Sequence, residues 1–157
     1  MQLLHQVATL LSLAVGTSSV AVPSKHDTMS GGHGQHPSKV YLPICNISGY
    51  YRGHNDLVDV LIKQLRIRGR GCSAKPGPRV CTQVACTGPG VAIFLCNDLD
   101  HELEVDCETV ADYAQDIRDE CDNFPLNTLP ETRGQEFDTG GWNVIVGGRS
   151  GSCVAEV

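Results

Sequence analysis

Eight cysteines, Cys45, Cys72, Cys81, Cys86, Cys96, Cys107, Cys121 and Cys153, constrain this 157-residue chain more than any other feature. All eight lie behind an N-terminal segment with the order of a secretory signal. Met1 and His5 bracket the start, an apolar run covers residues 7–15, and the small residues Gly16, Thr17, Ser18, Ser19 and Ala21 follow. The apolar run is too short to span a membrane, and no later segment is long and apolar enough to do so. Residues 1–21 are therefore predicted to be a cleaved signal peptide, and the protein to be secreted and extracellular. An even cysteine count in an exported chain predicts four disulfides, with their connectivity open.

Metal ligation is the rival use of cysteine. The sequence has no C-x-x-C pair, and the spacing of Cys81 and Cys86 has no second knuckle to complete a tetrahedral zinc site. No metal and no cofactor are expected. About 136 residues remain after residue 21, enough for one domain but not two. Bridges at roughly 2–4 kcal/mol each are comparable with the ~5–15 kcal/mol of a whole domain. They belong to the foundation of the fold.

The formal net charge of -6 argues against nucleic acid or an anionic membrane as partner. Its distribution is uneven. Residues 52–79 hold seven Lys and Arg against Asp56 and Asp59, whereas residues 98–122 hold eleven acids against Arg118 alone.

Residues 22–39 are rich in Gly, Ser, Pro and His and too poor in apolar side chains to offset the entropy of ordering. They read as a flexible arm, in which His26, His33 and His36 are solvated rather than metal-bound. The ordered domain is placed at residues 40–157. It opens on a β-rich run in which Pro43 calls for a sheet edge or a late strand start. Asn55 or Asp56 is expected to cap a helix whose Leu57, Val58, Leu61, Ile62 and Leu65 recur at three and four residues. Gly69 and Gly71 end it, after Arg66 and Arg68, which suit the negative pole of its dipole.

Residues 79–86 and 91–96 read as a β-hairpin turned by Gly88, Pro89 and Gly90, and the unbroken apolar run at 91–96 marks a central, covered strand. A second helix follows Asp106, with Cys107, Val110, Ala114, Ile117 and Cys121 on one face. If residues 107–121 form one helix, its ends lie ~21 Å apart, so Cys107 and Cys121 must each pair elsewhere, because bridged Cα atoms lie within ~7 Å. Residues 142–147 form a last strand after the turn at Gly140 and Gly141. The expected fold is α+β, a split β-α-β-β-α-β antiparallel sheet with two helices on one face and four disulfides.

Three segments in this order, VAIFLCND at 91–98, VDCETVADYAQDIRDEC at 105–121 and RGQEFDTGGWNVIVGG at 133–148, give the chain its family likeness. It resembles the killer-toxin-like small secreted proteins of filamentous fungi over about residues 41–153. That resemblance implies a split βαβ sandwich like that of virally encoded killer toxins of smut fungi. It also implies a non-enzymatic effector, active in virulence or as an antimicrobial toxin, that binds a target on host or competing cells. It supplies no active-site residues.

Read for catalysis, the sequence has no G-x-S-x-G elbow. His54 and His101, the histidines inside the domain, are the candidate acid and base of a small secreted hydrolase such as a ribonuclease. A turn position for His54 and an acidic run around His101 make surface placement the better reading of both, and no enzyme is expected.

Read for binding, Asp98, Asp100, Glu102, Glu104 and Asp106 alternate with Leu99, His101, Leu103 and Val105. An extended strand would carry all five carboxylates on one face. Calcium would relieve their repulsion, but the run lacks the glycine of an EF-hand loop. A contact surface for an extracellular host or competitor protein or glycan is the sharper expectation. Asn46-Ile47-Ser48 is an N-glycosylation sequon, placed beside Cys45 on an expected strand. A monomer is expected.

Overall fold

The computed structural model describes residues 38–40, 42–69, 71–88, 90–122, 130–149 and 153. The expected signal peptide and most of the arm, including His26, His33 and His36, lie outside these residues. The chain order is β1 (Ile44–Cys45), β2 (Gly53–His54), α1 (Asn55–Arg68), β3 (Cys72–Ala74), β4 (Val80–Thr87), β5 (Val91–Asn97), β6 (Leu103–Val105), α2 (Cys107–Glu120), β7 (Glu131–Thr132), β8 (Gly134–Asp138) and β9 (Trp142–Gly148). Among the described residues the fold is α+β, with two helices and strand pairs that are all antiparallel. Five strands form the main sheet in the order β1-β8-β9-β5-β4, while β2-β7 and β3-β6 are short two-stranded ribbons.

The apolar run at 91–96 is covered on both faces, as its composition requires, in strand β5 between β4 and β9. Its alternation sorts the sheet into two faces. Val91, Ile93 and Leu95 join Val144 and Val146 in the core under the helices, where Val58, Leu61, Ile62 and Leu65 of α1 meet Val110, Ala114 and Ile117 of α2. Ala92, Phe94, Cys96 and Ile145 face the other way, packed by Ile47, Tyr50 and Cys86. Strand β1 begins directly after Pro43 and stands at the sheet edge, where a residue without a backbone N–H is tolerated.

Strand β8 separates β1 from β9, an element absent from the sequence expectation. Its Gly134 lies under α2, where a Cβ would stand 2.7 Å from the Cys121 sulfur and 2.9 Å from an Ile117 methyl carbon. The cap of α1 also differs from expectation. His54 is the N-cap residue, and Asn55 is helical and buried. The Asn55 Oδ1 accepts a 2.7 Å bond from the Thr132 hydroxyl, and its N–H donates to the Pro130 carbonyl, so tertiary bonds claim the groups that would otherwise cap the helix. At the other end Gly69, at φ +72, donates to Leu65 O and accepts from Cys107 N, joining the close of α1 to the start of α2.

Three disulfides are formed: Cys45–Cys121, Cys72–Cys107 and Cys81–Cys96. Cys107 and Cys121 pair elsewhere, as helix length demands, and together they staple both ends of α2, one to β3 and one to β1. The closed loops of 15 to 76 residues correspond in the chain-entropy picture to about 3–4.5 kcal/mol apiece. Cys86 and Cys153, each partly exposed, are not joined in the structure. No helix among the described residues is long and apolar enough to cross a membrane.

Candidate functional site

The acidic segment begins where β5 ends, and a buried asparagine shapes it. Asn97 is 0% exposed. Its Nδ2 donates to the carbonyls of His101 (2.7 Å) and Lys75 (3.1 Å), while its Oδ1 accepts from Leu99 N (2.9 Å). Every hydrogen of that amide is committed to backbone, which folds residues 98–101 into a turn. Neighbouring segments close around it: Gly77 N donates to Leu99 O, Asp98 N donates to Gly141 O, and Arg79 N donates to Asp98 Oδ1. A Cβ at Gly77 would fall 2.1 Å from Asn97 O, so only glycine permits this approach.

The turn corrects the expectation of one extended ribbon. Strand geometry is confined to β6, where Leu103 and Val105 turn toward the core and Glu104 stands opposite Ser73 of β3. The five carboxylates consequently do not share a single strand face. All five residues are nevertheless exposed. Asp98 is tied to the Arg79 backbone, and Asp100 accepts from His101 Nδ1 at 3.0 Å. That bond, with help from the Asp100 backbone N–H and the His101 charge, holds the Asp100 carboxyl below its usual range. Glu102 and Asp106 flank β6, and Asp106 is the N-cap of α2, beside the Cys72–Cys107 bond. Among the described residues no group of three or more His, Cys, Asp or Glu side chains converges as a metal cage.

His54 and His101 are both exposed at the surface. His54 caps the N-terminal end of α1, with Nδ1 3.9 Å from a Glu131 carboxylate oxygen. His101 belongs to the acidic turn, where its carbonyl is bonded by Asn97 at the end of β5, whereas Gly53 beside His54 packs on Val91 at the start of that strand. The seven residues of β5 span ~20 Å, so the two histidines stand at opposite ends of the strand. Asn46 is exposed in a left-handed turn (φ 58) just past β1, and Ser48 is exposed beside it. The sequon thus lies just past the strand on which it was expected.

A second charged group was not visible in the sequence. Strand β8 turns Glu136 and Asp138, 2% and 8% exposed, toward α2 rather than toward water. Lys39, the last residue of the expected arm, pairs there with Asp116 of α2 and with Glu136 (3.6 Å), and its Nζ lies 4.5 Å from the centre of the Tyr113 ring. Tyr113 is fully buried against Trp142, and its hydroxyl donates to Asp138 Oδ2 at 2.5 Å, while Gly140 N donates to Asp138 Oδ1. Burial, then the bond to Asp138, push the Tyr113 phenol well above its ordinary value of 10. The one clue in the sequence was the pair of acids two residues apart at 136 and 138, a spacing that reads equally well as an exposed strand face.

The uneven charge along the chain is resolved between the helices. Arg66 of α1 donates to Asp112 of α2 (3.1 Å), and Arg118 of α2 clasps Asp59 of α1 (3.0 and 3.2 Å). These half-exposed pairs contribute ~0–1 kcal/mol each and fix the helix pair's register more than its stability. The geometry as a whole defines a disulfide-stapled α+β domain that presents an acidic loop. In comparisons with protein-family models, curated proteins and solved structures, nothing matches this chain.

Proposed function

We propose that this is a secreted, killer-toxin-like effector that works without catalysis, by binding an extracellular target on host or competing cells through the acidic loop at 98–106. The observation that carries the reading is the construction of that loop. Five exposed carboxylates stand on backbone held by Asn97, by the β3-β6 ribbon and by the Cys72–Cys107 bond. A loop held this firmly loses little conformational freedom on binding, so more of the contact energy appears as affinity. Like charges gathered on such a base select a basic partner surface and speed its approach. The three disulfides suit a protein exported through an oxidising compartment.

The test adds the purified mature protein to plant tissue and to cultures of competing fungi, beside a D100N/E102Q/E104Q variant. The expected result is a response in one of the two systems that the variant has lost while its disulfides and circular dichroism are unchanged. A variant as active as the parent would remove the loop from the reading. Turnover of RNA or glycans that disappears in H54A or H101A would replace binding with hydrolysis.

A further inference from the structure

We propose that Cys86 and Cys153 close a fourth disulfide that clips the chain near its C-terminal end to the β4-β5 hairpin. Cys86 lies on β4 opposite Ala92 of β5, on the sheet face away from the helices, packed against the cluster of Ala92, Phe94, Cys96 and Ile145. Cys153 is docked on the same hairpin by two contacts of its own. Its N–H donates to Gln83 Oε1 at 3.2 Å, and its sulfur lies 3.9 Å from the Val91 carbonyl oxygen. Gln83 precedes Cys86 on β4, and Val91 opens β5 across the turn, so the two contacts bracket the Cys86 side chain. Cys153 is the one titratable neighbour that acts on the Cys86 thiol. They are more than 60 positions apart in the chain, so tertiary structure rather than local geometry has brought them together.

The other six cysteines show the same arrangement carried to completion, each pair joining two elements that already pack. Closure of this pair breaks two S–H bonds and forms one S–S bond. The two electrons and two protons pass to an oxidising protein disulfide, which is thereby split into two thiols. The Cys86 thiol is pushed up to about 11, first by burial and then by the hydrogen bond and charge of Cys153. It is therefore mostly protonated at neutral pH, so its thiolate is scarce and exchange with the oxidising disulfide, which needs a thiolate, is slowed at this sulfur.

The test uses the full chain exported from a eukaryotic secretory host, alkylated under denaturing conditions without reduction and digested for mass spectrometry. A peptide pair linking Cys86 to Cys153, with no alkylated cysteine, is the expected result. Alkylation at both positions, or either cysteine bonded to glutathione, to another chain or to any other cysteine, overturns the proposal. A C86S/C153S variant supplies an independent reading. Loss of a bond closing so long a loop should lower Tm by roughly 10 °C, with the other three bridges still mapped, whereas an unchanged Tm means the parent holds two packed thiols.

Discussion

Asp116, Glu136 and Asp138 sit between α2 and the sheet, while Asp98, Asp100, Glu102, Glu104 and Asp106 stand on the outer turn and β6. The residue types are the same and the environments are opposite. In the inner group a lysine, a phenol and a backbone N–H meet the carboxylates, so charge removed from water is answered by charge and hydrogen bonds. In the outer group the hydrogen bonds go mainly to the backbone that carries the carboxylates, and the charges themselves face solvent. The contrast separates acids that hold the domain together from acids that it displays, and each variant below tests that separation.

The largest effect is expected at Lys39. Its side chain is 9% exposed and its ammonium faces two carboxylates, of which the Glu136 side chain is 2% exposed. Lys39→Met keeps most of the aliphatic stem over Tyr113 and removes the cation, which should lower stability by about 3 kcal/mol. Urea unfolding measures it. A loss below about 0.5 kcal/mol, the size of an ordinary surface change, would place the inner group with the displayed one.

Asn97→Ala should come next, at about 2 kcal/mol, because the carbonyls of Lys75 and His101 and the N–H of Leu99 lose a buried partner together. Amide exchange at Leu99 should quicken while the amides of α2 keep their protection. Uniform loosening of the whole domain would show that Asn97 supports the core and not the loop in particular.

Tyr113→Phe should cost about 1 kcal/mol, the usual worth of a buried hydrogen bond, since Asp138 keeps its bond from Gly140 N. Its pH dependence is the sharper mark. The phenol is raised in the folded state, so its contribution is fully present below pH 10, the ordinary value, and is lost as pH rises from there toward the folded value. Alkaline unfolding of the parent should therefore include a component that the phenylalanine variant lacks. Identical alkaline profiles would mean that the hydroxyl is not held as described.

These two acidic groups also show where sequence reading succeeds and where it stops. Both helices, the hairpin, the covered strand at 91–96 and the edge placement after Pro43 followed from periodicity, glycine turns and proline chemistry. Helix rise alone excluded a Cys107–Cys121 bond. Strand β8 escaped because Glu136 and Asp138 occupy its core-facing positions and Phe137 the opposite face, which inverts the polarity by which a half-buried strand is read. Their compensation comes from Lys39, in a stretch whose composition signals an arm, and no local pattern links positions 39 and 136. The alternation at 98–106 is a sound strand signal, overruled in its first half by three side-chain bonds from Asn97. A strand-ending asparagine does not announce those bonds.

The smallest effect on stability is expected from the change with the largest expected effect on activity. Asp100→Asn, Glu102→Gln and Glu104→Gln together remove three exposed charges, and no bond that shapes the turn depends on them. The Asn97 bonds, the Arg79 to Asp98 bond and the β3-β6 pairing all remain. The Asp100 carboxyl is held low by His101, but it is fully exposed, so solvent screens that contact and the unfolding midpoint should stay where it is in the parent. The acid side of the stability curve should be equally unmoved, because solvent screening leaves the lowered Asp100 carboxyl little leverage on folding. A variant that unfolds at lower temperature, or at higher pH on the acid side, would show that the displayed charges also hold the fold. A variant with the parent's unfolding curve and altered activity would separate the two groups as display and support.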